Sequence, residues 1–479
     1  MMNLTDLLTL LPESFLTAAI CALLLLDLFV KPAQRNITHY CAIAILAVTA
    51  WLVFDGNAAP SAFGGMFVHD GVAQILKLSI LLVSALVFVY ARGYLRDRDL
   101  YVGEYYVLCL FAVLGMMFLV SAGNLVMIYL GLELLALSSY ALVALQRDSG
   151  LSSEAAIKYF VLGALASGML LYGMSMIYGA TGTLDLTKIH AASVASAHPS
   201  LLLFGVVFVV VGLGFKFGAA PFHMWLPDVY QGAPTAVTVF IGSAPKLAAF
   251  GMAYRLLESG LGGVAPHWQQ MLSVLAVASL AVGNIGAIAQ SNLKRMLAYS
   301  TISHVGFLLL GLINGTPAGY AAAMFYAISY AVTATVAFGM IMLLARAGFE
   351  AEEIDDFKGL NQRAPWFAFI MSLTMFSLAG VPPLFGFYAK FLVLKAVVDA
   401  DQLWLAVVAA VFAIVGIYYY LRVIKVMYFD PTAQGESHAL HADAPMRWII
   451  SLNGLSLFAL LAGWGTLYGW CARAFGIVQ

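Results

Sequence analysis

Charge is what this sequence has least of. Only 10% of its 479 residues are Asp, Glu, Lys or Arg, and 63% are hydrophobic; soluble domains run about 25% charged and about 45–50% apolar. That balance excludes a soluble domain, a disordered segment and a nucleic-acid binder. Lys and Arg total 23 against 24 Asp and Glu, a formal net charge of -1, so no basic surface is available for phosphate or acidic lipid. Cysteine is also scarce. Cys21, Cys41, Cys109 and Cys471 are scattered through apolar stretches, with no C-x-x-C pair and no Cys/His cluster. This excludes an iron–sulfur cluster, a c-type haem or structural zinc built from this chain alone. No basic residue precedes Lys31, so the first apolar run is expected to be a retained span rather than a signal peptide. GLGFKFG carries G-x-G inside an apolar run without the G-x-x-x-x-G-K-[ST] pattern, which leaves nucleotide binding without support. No metal or cofactor site is expected in the chain.

What the sequence does have is long apolar runs, with a mean hydropathy of +0.93. A membrane helix needs about 20 apolar residues. Fourteen runs qualify: 10–30, 38–54, 71–93, 104–121, 123–145, 153–179, 200–220, 232–257, 268–290, 294–313, 318–346, 364–398, 403–428 and 446–472. The predicted fold is an all-α polytopic membrane protein with 14 transmembrane helices, lying in lipid and binding no nucleic acid. Alternate loops hold Lys31/Arg35, Arg92/Arg96/Arg98, Arg147, Lys294/Arg295, Arg346/Lys358/Arg363 and Arg422/Lys425/Arg447. The opposite loops and termini hold only Lys188, Arg255 and Arg473. The positive-inside rule places the first set in the cytoplasm and both termini outside.

Six lysines remain within or beside the spans: Lys77, Lys158, Lys216, Lys246, Lys390 and Lys395. An ionisable group at a helix centre costs about 2.5–3.5 kcal/mol, so each needs a reason. Lys77 and Lys395 lie close enough to helix ends to snorkel, and Lys158 has Glu154 one turn back. Lys216, Lys246 and Lys390 have no such ready account. Glu133, in GLELLALSSYAL, lies ten residues into its run, about 15 Å deep. His304, in STISHVGF, is similarly deep, where a hydrogen bond to a neighbour is the plainer alternative to a functional role. The same holds for His223 beside Pro221.

The backbone is interrupted beside these charges. LGFKFGAAPFHMWLPDVYQGAPT places Pro221, Pro227 and Pro234 around the end of the seventh span, and SLAGVPPLFGFYAKF places Pro382-Pro383 inside the twelfth. Proline frees carbonyls, and irregular backbone survives at membrane depth only in protein interior or beside a water-filled cavity. Pro245 is expected to loosen the helix at Lys246 too. Glu133 precedes Lys216 by 83 residues and His304 precedes Lys390 by 86, so helices 4–8 and 9–13 read as inverted five-helix repeats with discontinuous helices 7 and 12. The resulting divisions are 1–101, 102–258, 267–429 and 430–479, the last a cytoplasmic loop and helix 14.

Titratable groups at one depth, Glu133, Lys158, Lys216, Lys246, His304 and Lys390, outline a proton relay. Burial disfavours an ammonium and a nearby carboxylate restores it, so moving Glu133 relative to Lys158 or Lys216 would switch proton affinity. Ser138, Ser139, Tyr140, Thr333 and Thr335 are available to hold connecting water, though helix-packing hydroxyls are commoner. The alternative is a scaffold whose buried charges are simply paired.

GLELLALSSYAL, FKFGAAPFHMWLPDVYQGAPT, SAPKLAAF, LKRMLAYSTISHVGF and LAGVPPLFGFYAKF together resemble the antiporter-like subunits of respiratory complex I, which are also similar to Mrp-type cation/proton antiporter subunits. The resemblance covers nearly the whole chain, most specifically residues 123–400. Of the three complex I members, the largest extends into a lateral helix and another carries Glu where this chain has Lys390; compact length and Lys390 set this chain with the third. The resemblance implies Glu133 as switch carboxylate with Lys158 as partner, Lys216 as input lysine, Lys246 and His304 as central relay, and Lys390 as terminal group. It implies FMN, iron–sulfur clusters and quinone in other subunits, subunits M and K and the lateral helix of L as neighbours, and a bacterial inner membrane with both termini periplasmic. A Mrp-type antiporter subunit is the alternative. Reporter fusions at Gln479 and in the loop 350–358 are expected to report opposite sides of the membrane; the same side for both rejects fourteen spans.

Overall fold

The computed structural model describes residues 4–55, 59–431 and 442–477, and nearly all of them are helical. The chain opens with α1 (Leu4–Thr9), α2 (Leu11–Asp27) and α3 (Asn36–Asp55), followed by a small hairpin of β1 (Ser61–Ala62) and β2 (Phe67–Val68). Then come α4 (Gly71–Arg96), α5 (Gly103–Val120), α6 (Leu125–Val143), α7 (Gly150–Thr181), the short α8 (Leu186–Val194) and α9 (Pro199–Phe217). The middle of the chain holds α10 (Trp225–Gly232), α11 (Thr235–Tyr254), α12 (Ala265–Ile288), α13 (Leu293–Ile313) and α14 (Pro317–Leu344). It closes with α15 (Leu360–Arg363), α16 (Pro365–Ala379), α17 (Phe385–Asp399), α18 (Leu403–Phe429) and α19 (Ala444–Ala474). The apolar runs fall on these helices to within a few residues. Part of the loop expected at 430–443 lies outside the described residues.

Among the described residues, eleven helices are long and apolar enough to cross a membrane, or twelve if the bent pair within α19 is one span. The molecule is layered by lipid exposure. The apolar windows of α11 and α13 are 94% buried and that of α14 is 89%, so these three form the centre. At the rim, α3 exposes Tyr40, Trp51 and Phe54, a large-apolar surface that only lipid or another protein satisfies.

Two short joints fasten the fold, both at places where consecutive apolar runs nearly touch. Asn124 caps α6 by accepting from Val126 N, and Asn292 caps α13 by accepting from Arg295 N. Asn124 bridges Asp185 and Asn292 bridges Glu353, the second pairing repeating the first 168 residues later. Their hydrogen bonds repeat in the same register: Leu125 N to Leu184 O and Leu186 N to Gly123 O, then Leu293 N to Glu352 O and Ile354 N to Ser291 O.

The seventh and twelfth runs are broken, as their prolines predict. α9 stops where Gly218 turns left-handed (φ 76), and α16 where Gly380 does (φ 84). Glycine adopts that conformation without the Cβ clash other residues meet. Pro221 and Pro383 follow three residues after each glycine, in cis peptides. α11 differs from expectation: it runs through Pro245 without interruption. The carbonyl that Pro245 leaves without a helical donor is that of Ile241, and the Tyr230 hydroxyl approaches it at 3.5 Å.

A Cβ on Gly380 would meet Lys390 Cδ at 2.8 Å, on backbone already left-handed. Gly380→Ala is therefore expected to cost about 1–2 kcal/mol and lower the thermal midpoint of the purified protein. Gly168→Ala, where nothing lies within 4 Å, should leave the midpoint unchanged or raised.

Candidate functional site

In the first half of the molecule α5, α6, α7, α9, α10 and α11 line a cavity of about 30 Å³ that includes Lys216, Lys246, Ser139, Tyr159 and Trp225, enough for about one or two waters. Lys216 occupies the last turn of α9, directly before the break. It has no hydrogen bond or ion pair among the described residues, and the field of Glu133 reaches its ammonium. Glu133 keeps Oε1 buried and without a hydrogen-bond partner among the described residues. Lys246, 3% exposed, donates to the carbonyl of Phe217 at 2.8 Å, the residue at which α9 stops. Trp225 Nε1 takes the neighbouring Phe215 carbonyl at 3.0 Å, and Tyr159 stacks on the Trp225 ring at 4.6 Å.

The second half answers its own break in the same way. Lys390 donates to the carbonyls of Leu378 and Ala379, both at 2.9 Å, where α16 ends. Its ammonium lies 5.1 Å from the centre of the Phe307 ring. His304 is buried between two phenols, with Nδ1 2.6 Å from the Tyr326 hydroxyl and Nε2 3.0 Å from that of Tyr420. Tyr420 continues to Ser300, and Tyr330 pairs with Thr301 at 2.7 Å. A smaller cavity of about 10 Å³ joins His304, Tyr326, Tyr330 and Thr333 to Leu378, whose carbonyl Lys390 holds. A neutral imidazole donates from one ring nitrogen and accepts at the other, so both hydroxyls are met by the ring at once.

Several expectations need correction. Lys158 does not meet Glu133; it pairs with Glu154 and with Asp228, each at 2.8 Å. Arg295 binds the other oxygen of Asp228 at 2.7 Å. Lys77 does not snorkel: it is 1% exposed and lies 2.6 Å from Glu13, also 1% exposed. Lys395 is exposed, as a snorkelling residue would be. The two similar intervals are also not the register of the backbone. Counted from the left-handed glycines, Lys216 stands opposite Leu378, and Lys390 opposite Asp228. His223 sits in the first break with Nδ1 buried and without a hydrogen-bond partner among the described residues. The hydroxyls of Ser139, Thr333 and Thr335 bond back to their own helices, though Ser139 and Thr333 also line the cavities.

Sequence reasoning missed Asp228 and Arg295 as a pair, and the phenols Tyr326, Tyr330 and Tyr420. The i, i+4 spacing of Tyr326 and Tyr330 on one helix was the available signal.

The family described as NADH:quinone oxidoreductase/Mrp antiporter, TM matches residues 122–416. The chain is 56% identical to NADH-quinone oxidoreductase subunit N of Xanthomonas euvesicatoria, over 98% of this chain and 96% of that one. The same subunit of Herminiimonas arsenicoxydans is 54% identical over 99% of both chains. Among solved structures, a chain of respiratory complex I from Thermus thermophilus with bound aureothin superposes with a TM-score of 0.82 at 33% identity, covering 95% of this chain and 98% of that one. A chain of the Mrp complex of a Dietzia species shares the fold, with a TM-score of 0.83 at 22% identity over 99% and 97%.

Asp228→Asn removes the carboxylate shared by Lys158 and Arg295 and is expected to lower the thermal midpoint in detergent. Glu154→Gln disrupts only an exposed i, i+4 pair, worth about 0.3–0.5 kcal/mol, and should barely move it.

Proposed function

This chain belongs to the subunit N family of NADH-quinone oxidoreductase, and from that membership we propose that its buried polar axis is the route by which it moves protons. It is an antiporter-like, proton-translocating membrane subunit of complex I. It works within a proton-pumping oxidoreductase of the bacterial inner membrane. The 22% identity to the Mrp chain supports a shared fold only, and the Mrp-type reading gives way to the complex I one.

In the proposed route Glu133 tunes Lys216, which exchanges protons with Lys246 through the first cavity. Lys246 passes them through the phenols around His304 to Lys390. The observation that carries this reading is the matched use of the breaks: Lys246 holds the Phe217 carbonyl, and Lys390 holds those of Leu378 and Ala379. An ammonium bound to carbonyls alone, without a carboxylate, is stabilised less than an ion pair and can yield its proton. Lys158 serves at the Asp228 junction, and its exchange with Glu133 would require it to leave Asp228.

The finer architecture belongs to the same proposal. Fourteen spans follow if α2 and the broken pair α16–α17 cross as well, and the repeated Asn124/Asp185 and Asn292/Glu353 bridges support inverted repeats over 102–258 and 267–429. Residues 1–101 and 430–479 then flank the repeats. Subunits M and K and the lateral helix of L are the proposed neighbours, both termini the periplasmic ends, and FMN, iron–sulfur clusters and quinone the property of other subunits.

Lys390→Met keeps bulk without a titratable amine, so assembly should survive while coupled proton transfer falls severalfold in reconstituted vesicles. Lys390→Arg keeps the charge but hardly deprotonates, since its pKa exceeds about 12. Transport by the arginine variant at the parent's rate would remove Lys390 deprotonation from the mechanism.

A further inference from the structure

His304 is met from the rim of the molecule by α18. The apolar window of that helix is only 33% buried, and Ile414 and Tyr418 are exposed on it. Its next two residues, Tyr419 and Tyr420, are 1% and 2% exposed and reach inward, with their ring centres 4.3 Å apart. Tyr420 brings its hydroxyl to 3.0 Å from His304 Nε2 and also to Ser300 Oγ, one turn earlier on α13. Tyr419 donates to Asn284 Oδ1 of α12 at 3.1 Å. Gly416 leaves room for that contact, since a Cβ there would meet Asn284 Oδ1 at 2.6 Å.

The direction of donation along this set follows from Asn284. Both hydrogens of its amide are committed, one to the Leu280 carbonyl at 2.8 Å and one to Ser303 Oγ at 2.9 Å, so Oδ1 can only accept. The hydrogen of Tyr419 is therefore spent on Asn284, and its oxygen is left to accept from Ser300, which interacts with it. Ser300, donating to Tyr419, accepts from Tyr420. Tyr420, donating to Ser300, accepts from the Nε2–H of His304. The bond made at one imidazole nitrogen decides what the other carries. With hydrogen on Nε2, Nδ1 holds the lone pair and accepts from the Tyr326 hydroxyl at 2.6 Å. Tyr326 lines the cavity shared with Leu378, whose carbonyl Lys390 holds.

We propose that Tyr420, backed by Ser300, is a positioning residue for His304: it fixes the neutral ring with its hydrogen on Nε2 and makes Nδ1 the atom at which the ring gains and loses a proton. Uptake adds the proton to Nδ1, which then donates to the Tyr326 oxygen; Tyr326 keeps its own hydrogen and turns it away from the ring. Nε2–H goes on donating to Tyr420, so the imidazolium has an acceptor at each nitrogen. Release from Nδ1 restores the starting bonds. Tyr420 and Ser300 never carry the transferred proton. The titratable groups around the ring are Tyr326 and Tyr330 of α14, Tyr420 of α18 and, through its charge, Lys390 of α17. This inference rests on the reading of His304 as a proton carrier.

The test is made on the whole complex in proteoliposomes, counting protons moved per NADH oxidised across a pH series. Tyr420→Phe keeps the ring and removes the acceptor. Ser300→Ala removes the partner of the Tyr420 hydrogen, which then turns to Nε2 and drives the ring hydrogen onto Nδ1. Both variants should assemble, lose at least half of the count and shift the alkaline limb of its pH profile to lower pH, because the charged ring has lost an acceptor. Ser300→Thr restores the hydroxyl and should restore both readings. A bond that served only packing would lower the thermal midpoint and leave the profile in place. Parent counts with an unmoved profile in either Tyr420→Phe or Ser300→Ala overturn the assignment, as does a Ser300→Thr variant no better than Ser300→Ala. Lys390→Met is run beside them. If it also pumps as the parent does, the axis itself is wrong; if it alone fails, only the role of Tyr420 falls.

Discussion

In lipid every backbone carbonyl must find a donor within the protein, and at two places this structure meets that rule with a side chain instead of the helix. At the ends of α9 and α16 the helical pattern stops at mid-chain, and the orphaned carbonyls of Phe217, Leu378 and Ala379 are taken by lysine ammonium groups. The fold therefore needs the charge as much as the charge needs the fold. A lysine that loses its proton still has an N–H to offer, so the backbone remains satisfied in either protonation state. That is why lysine, rather than a carboxylate, suits a position facing freed carbonyls.

The two halves share backbone geometry more faithfully than they share charges. The joints at Asn124 and Asn292 repeat bond for bond, yet the place of Lys390 in one half is filled by Asp228 in the other. Asp228 in turn is bound by Lys158 from its own half and by Arg295 from the other. The carboxylate thus holds the halves together where its counterpart holds freed carbonyls. Similar backbone with unlike charges gives the two breaks different partners.

The helices were readable because the membrane imposes a length and a composition on every span, and that signal is local. The breaks were readable for the same reason: Pro221 and Pro383 carry their effect in their own backbone. Pairings between distant elements carried no such mark. Lys77 looked free to snorkel because Glu13 stands 64 residues earlier, on a helix that folds back against it. Lys158 was assigned to Glu133 by resemblance, while the carboxylate it meets comes from α10, beyond the first break. Tyr420 reaches His304 across 116 residues, a distance no periodicity spans. Pro245 misled in the opposite sense, since the packed surroundings of α11 and the hydroxyl of Tyr230 let the helix continue.

The small size of the two cavities bears on energy storage. Volumes of about 30 and about 10 Å³ admit only isolated waters. Such an interior behaves as an insulator. A continuous file of water between the two aqueous phases would discharge the very gradient the complex builds, like a capacitor shorted through its own dielectric. Cavities this small around the lysines hold no such file, and the packing that keeps them small is what keeps the two phases apart.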